Sequence, residues 1–291
     1  MASRASIVPR FALAAAAVLL PPVVCAQGAE PAAAGAAVVA GYRVPDDWRE
    51  LLRVDDAMRR YFAAHVPRLG DTRGQLDAIV AAILGADGLN FSYREDGNFD
   101  ARETFRRRQG NCVAFSILVV AVAREYRLTA RFNEVRTEPR WDRIGQVVAE
   151  IRHLNVVVRT DTGKVMVDLL PVSDYGVTES SAREVPDARA FAMFYSNNGV
   201  YLLGQARLLE ALPLLERATV IAPSFALGWV NLGHAHSLLG DTAKAQTCYE
   251  RALKEEPANL KALASLEQLY RSTGQIGRAE ALDRKTERFR E

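Results

Sequence analysis

The chain has 291 residues, 49% hydrophobic and 25% charged, enough to bury a sizeable core and long enough for about two domains. Its formal charge is only +2, and the first 26 residues carry two arginines and no acid, so the remainder is close to neutral and makes no electrostatic case for a nucleic-acid partner. With neither a glycine-rich phosphate loop nor paired ligand spacing, no cofactor and no metal are expected.

Arg4 and Arg10 precede the apolar run Phe11 to Leu20, which is too short to span a bilayer and is followed by Pro21-Pro22 and the tripeptide Val24-Cys25-Ala26. This order reads as a secretory signal over residues 1–26, cut after Ala26, and places the mature protein outside the cytoplasm, in the periplasm of a Gram-negative cell. The rival reading is a lipoprotein acylated on Cys25. That pathway wants a small residue just before the cysteine, where Val24 stands. Residues 27–44 are rich in alanine and glycine and read as a flexible leader. No membrane span is expected in the mature chain. Cleavage leaves Cys112 and Cys248, far apart in sequence and in different domains, which excludes a disulfide framework.

From Asp46 to Pro67 apolar residues recur at helical spacing, and Gln75 to Leu84 makes a second such segment. A polar, turn-rich stretch, Phe91 to Thr104, leads to Arg106-Arg107-Arg108, which reads as a solvated helix end, and then to Gly110-Asn111-Cys112. Asn111 is a favoured N-cap, and Val113 to Ala123 is apolar on every side, as a helix buried within a domain would be. Cys112 therefore stands at a helix N-terminus, where unpaired N–H groups and the macrodipole stabilise a thiolate and offer donors to an oxyanion.

Arg131 to Val135 alternates as a strand, and Ile151 to Val158 alternates again, with His153, Asn155 and Val157 on one face. After the turn Asp161-Thr162-Gly163-Lys164, the strand Val165 to Leu170 carries Asp168 among apolar residues, where a lone carboxylate would be costly. A hairpin places Asp168 within reach of His153 if the register permits. Singly, these residues have structural readings: a small buried cysteine, a satisfied histidine, a paired aspartate. Together they compose a nucleophile, a base and an orienting carboxylate. His65 lies in an early helix, and His234 and His236 lie in the C-terminal repeat.

Gly110-Asn111-Cys112 opening a buried helix, Leu128-Thr129-Ala130-Arg131 leading to a strand, His153-Leu154-Asn155-Val156 and Val167-Asp168 resemble the core of bacterial transglutaminase-like proteins. The resemblance covers about residues 45–175. It implies a papain-like fold in which Cys112 is the nucleophile, His153 the base and then the acid, and Asp168 the orienting carboxylate. Many members carry an aromatic residue soon after the histidine, where this chain has Leu154-Asn155. Gln109, Asn111 and Tyr93 are the candidates for a side-chain oxyanion donor. No acidic cluster suggests a calcium site.

After a linker at 176–191, residues 192–291 repeat at a period of 34: Gly199 and Gly233; Ala211, Ala245 and Ala279; Ala218 and Ala252; Pro223 and Pro257. The period and pattern are those of three tetratricopeptide (TPR) repeats, an array that commonly holds a protein segment on its concave face. The expected architecture is thus an α+β papain/transglutaminase-like core followed by an all-α TPR solenoid. Two functions compete. One is a thiol enzyme that hydrolyses or transfers peptide or amide acyl groups of a peptide or protein substrate, with the repeats recruiting a protein partner. The other is a non-catalytic envelope adaptor that binds through its repeats.

Overall fold

The computed structural model describes residues 37–144, 147–169 and 182–288. The predicted signal and most of the leader lie outside these residues, as does Leu170. No helix among the described residues is long and apolar enough to cross a membrane.

The chain opens with a two-residue ladder, β1 (Val38–Val39) against β2 (Tyr42–Arg43), and a 3-10 turn at Trp48–Leu52. The long helical pattern of 46–67 is broken, and α1 spans only Asp56–His65. Asp55 decides this: its extended backbone cannot continue a helix, and its carboxylate takes the N–H of Met58, starting a new one. Asp71 caps α2 (Thr72–Leu84) by the same chemistry.

A short parallel ladder joins β3 (Ser92–Tyr93) to β4 (Gln109–Gly110), with α3 (Ala101–Arg107) between them. The three arginines do close α3, but Arg107 is more than a solvated end. It donates to the carbonyls of Ala40 and Gly41 and its guanidinium lies over Phe99, fastening the first ladder to this helix.

Helix α4 (Cys112–Glu125) has every residue from Val113 to Ala123 buried. It packs on a four-stranded antiparallel sheet made of β5 (Thr129–Ile144), β6 (Val147–Thr160), β7 (Gly163–Val167) and β8 (Ala182–Val185), in the order β7-β6-β5-β8. Phe132, Leu154, Val156 and Val158 join the buried core. Burying one face of the sheet and the whole circumference of α4 explains why the helix shows no polar stripe.

Six helices follow in three antiparallel pairs: α5 (Asp187–Gly204) with α6 (Leu208–Ile221), α7 (Ala226–Leu238) with α8 (Thr242–Glu255), and α9 (Leu260–Ser272) with α10 (Ile276–Arg288). The repeat positions explain the spacing. A Cβ on Gly233 would lie 2.6 Å from the Tyr249 ring, and one on Gly199 would lie 2.7 Å from Leu215, so glycine lets paired helices touch. Pro223 and Pro257 each stand two residues beyond the second helix of a pair.

The segment assigned by sequence to a linker differs from that expectation. Residues 182–185 are the edge strand β8, and α5 begins at Asp187, five residues before the repeat pattern becomes legible. The described residues from Ala37 onward fall in one compact unit, in which α5 packs on both parts. Phe191 stacks on Trp48 and meets Phe132 edge-on, Tyr195 donates to Pro45 O, and Asn98 donates to Phe194 O at 2.7 Å.

Candidate functional site

The turn that presents Cys112 is braced from below. Asn111 N–H donates to Gly97 O at 2.8 Å, and Arg94 N–H donates to Gly110 O at 3.0 Å. Gly97 and Gly110 have to be small: a Cβ on Gly97 would lie 2.8 Å from Gly110 Cα, and one on Gly110 would lie 2.8 Å from Ala114 Cβ. Asn111 has the extended backbone of an N-cap, and its Oδ1 takes the N–H groups of both Val113 and Ala114 at 3.0 Å.

This cap changes the sequence expectation for an oxyanion site. Two of the helix-terminal donors are already engaged, which leaves the Cys112 N–H as the first of the turn to consider. The Asn111 amide is committed as well, since its Nδ2 faces Glu95 O at 3.5 Å. Tyr93 is an exposed side chain on β3, and Gln109 is partly buried on β4.

One turn into α4, the buried Ser116 hydroxyl donates to Leu154 O at 3.1 Å. That bond sets the helix against β6 beside His153, and nothing in the composition of an apolar helix marks Ser116 for the task. On β6, His153 and Asn155 share a face by alternation, and Asn133 of β5 lies directly opposite Asn155. Val156 pairs with Val167, so Asp168, one residue past β7, stands beside Asn155 on that same face. The register that the sequence left open therefore brings Asp168 to His153.

His153 Nε2 and Asp168 Oδ2 are 2.7 Å apart, with both side chains almost fully buried. Asn155 Nδ2 donates to the same Oδ2 at 2.9 Å, and Asn133 Nδ2 donates to Asn155 Oδ1 at 2.8 Å. The His153 ring also hydrogen-bonds the Cys112 side chain. Because Nε2 serves Asp168, Nδ1 is the nitrogen left for the sulfur. The structure thus brings Cys112, His153 and Asp168 into one hydrogen-bonded row, with Cys112 partly accessible at its end.

Burial pulls the His153 pKa down, but the hydrogen bonds to Asp168 and Cys112 and the charges of both outweigh it, and the pKa is pushed up to about 9. The ring is therefore an imidazolium at neutral pH. A pKa raised on folding adds stability that is complete below the usual 6.5 and is lost as pH rises through about 9. Urea denaturation of the wild type is expected to lose on the order of 2–3 kcal/mol across this window, and His153→Gln to lose much less. Equal losses in both proteins would refute the charged ring.

Cys248 contrasts with Cys112. It is buried in α8, and desolvation, helped by the charges of Asp241 and Glu216, pushes its thiol up to about 11. The other histidines are elsewhere: His65 stacks on Tyr61, His236 lies near Asp241, and burial followed by the charge of Lys261 lowers the pKa of His234.

On alternate positions of the same strands lies a second polar cluster that the sequence did not disclose. Glu134 is buried against Arg189 at 2.8 Å and Arg152 at 3.3 Å, with Arg183 at 3.9 Å, and Arg152 reaches on to Glu256 after α8. These residues line a cleft of about 590 Å³ where the sheet meets the α6–α7 turn and the end of α8.

Comparison with known proteins speaks to the C-terminal segment. A family model described as a tetratricopeptide repeat matches residues 226–259, so this segment is a TPR repeat. The Hsp70-Hsp90 organizing protein of Triticum aestivum is 36% identical over 88 residues, which are 29% of this chain and 15% of that protein. The crystal structure of MamA is 21% identical, with a TM-score of 0.33, over 36% of this chain and 65% of MamA. A MamA RS-1 ArsTM double mutant is 22% identical, with a TM-score of 0.33, over 34% and 56%. The chain thus spans less than two thirds of each of these proteins.

Proposed function

We propose that this protein is a thiol hydrolase of peptide or amide bonds, of the transglutaminase-like, papain-like kind, delivered to its target by a TPR array. The observation that carries the reading is the row Cys112–His153–Asp168, with the buried His153 ring 2.7 Å from its carboxylate. The helix α4 on an antiparallel sheet, with the cysteine at the helix start, the histidine on β6 and the aspartate just past the end of the neighbouring β7, supports it.

In this mechanism the Cys112 thiolate attacks an amide carbonyl, and the negative charge passes to its oxygen, opposite the Cys112 N–H. The C–N bond then breaks as His153 gives its Nδ1 proton to the leaving amine, and a thioester remains. The neutral His153 next takes a proton from water, the hydroxide attacks the thioester, and the C–S bond breaks to restore the thiolate. Asp168 keeps the proton on Nε2 throughout, holding the ring in the useful tautomer. An amine in place of water would give acyl transfer. We place the reaction outside the cytoplasm, on envelope proteins or peptidoglycan cross-peptides, from the leader sequence of residues 1–26.

A second reading is favoured by one observation: a family model of the tetratricopeptide repeat matches residues 226–259, and one relative bears a name that describes the organising of two other proteins. On that reading the chain is a protein-binding adaptor and the thiol is idle. The iodoacetamide reaction of Cys112 against pH separates the two, measured in Cys248→Ala and in Cys248→Ala with His153→Ala. Rapid labelling well below the ordinary thiol value of about 8.5, lost without His153, is the result expected of the enzyme. An ordinary thiol profile in both proteins would leave the adaptor.

A further inference from the structure

We propose that Asn155 and Asn133 form a positioning relay that holds the Asp168 carboxylate for the thiol couple; the inference rests on the thiol-hydrolase reading. Neither residue touches the reacting atoms. Each acts through the next, from Asn133 to Asn155, to Asp168, to His153.

The chemistry of the sheet makes these two residues unusual. Asn155 is fully buried and Asn133 is 2% exposed, directly opposite one another on neighbouring strands and flanked by Val135 and Val157, which are themselves buried. Two aliphatic side chains would fill such a pair of positions without any polar cost, whereas each buried amide needs partners. The partners run in one direction. Asn133 Nδ2 donates to Asn155 Oδ1 at 2.8 Å, and Asn155 Nδ2 donates to Asp168 Oδ2 at 2.9 Å. The row ends on the very oxygen that receives His153 Nε2.

Position explains the need. Asp168 is the first residue after Val167, the last residue of β7 paired with β6. Asn155, beside it, supplies a side-chain tie where the ladder stops. An amide donor on a carboxylate oxygen also favours the ionised form, and the Asn133 bond polarises that donor further. Both effects keep an anion in line with the imidazolium.

The test uses the full chain in a Cys248→Ala background, with Asn155→Val and with Asn155→Val/Asn133→Val. The double variant leaves no orphaned amide, so it keeps the question open to test even if the single variant folds poorly. The readouts are the NMR titration of the His153 ring, the rate of Cys112 alkylation near pH 6, and urea denaturation. The relay predicts that both variants fold cooperatively, that the ring midpoint drops from about 9 by roughly one unit, and that acidic-side alkylation slows about three- to tenfold. Reduced stability with an unmoved ring midpoint and unchanged alkylation would make the two asparagines structural only; it would overturn the relay and leave the enzyme reading intact. An ordinary thiol profile in the parent protein, unaffected by His153→Ala, would end the enzyme reading and the relay with it.

Discussion

Glu134→Ala is expected to lower the free energy of unfolding by about 3–5 kcal/mol, because it breaks a buried ion pair from one side only. The Glu134 side chain is 5% exposed, and Arg189, at 11%, grips it through two bonds, at 2.8 and 3.1 Å. Burial pushes the Glu134 carboxyl up, but the charge and hydrogen bond of Arg189 and then those of Arg152 outweigh it, and the group is held below the usual carboxylate range. Removing it takes the buried carboxylate away from both guanidinium groups. One of them, Arg189, lies over the Phe225 ring, and the other, Arg152, also reaches Glu256.

The pH dependence has a definite sign. A depressed carboxylate pKa contributes stability that is present above its usual 4.5 and is lost as pH falls through the folded value. Urea denaturation of Glu134→Gln should therefore differ most from the wild type at neutral pH and converge with it in acid. Glu134→Leu/Arg189→Leu should recover part of the loss, since an apolar pair also removes the cation that Glu134 holds most closely. A loss below about 1 kcal/mol for Glu134→Ala would mean that the arginines find solvent or other partners, and the cluster would not be what joins sheet to repeats.

The second large effect concerns α5. Phe191→Ala is expected to cost about 3–5 kcal/mol, the range for removing a buried aromatic ring. Phe191 is 2% exposed and packs against Trp48 before α1 and Phe132 on β5, both outside the helix pairs. A chain ended at Pro186 should fail to give a cooperative melt. It would lose Phe191, Phe194 and Tyr195 from its core, and it would leave Asn98 Nδ2 and the Pro45 carbonyl without their α5 partners. A truncated chain that melts within a few degrees of the full chain would show that the catalytic candidate domain closes its core unaided.

These two expectations also measure how much was legible beforehand. Helix α4 and its cap were readable because Asn111 and an unbroken apolar run are local signals with one physical meaning each. The His153 strand was readable from its period of two. The break between the turn at Trp48–Leu52 and α1 was missed because Asp55 caps a helix inside a stretch whose apolar spacing continues through it. The linker was misplaced because Phe191 lies outside the 34-residue pattern, and a pattern of packing within the array says nothing of packing against another domain.

What the amino-acid order determined by itself was local or periodic: three helix pairs from a repeat of 34, a cysteine at the mouth of a buried helix, and a histidine on an alternating strand. Only the tertiary structure decided which polar groups meet. Whether Asp168 reaches His153 depends on cross-strand register, and a slip of one residue would turn it to the other face. Whether Asn155, Asn133 and Glu134 are costly or useful depends on partners 13, 22 and 55 residues distant in the chain. Hydrogen bonds and ion pairs act over a few ångströms in space, and sequence spacing carries no measure of that distance until the sheet is formed.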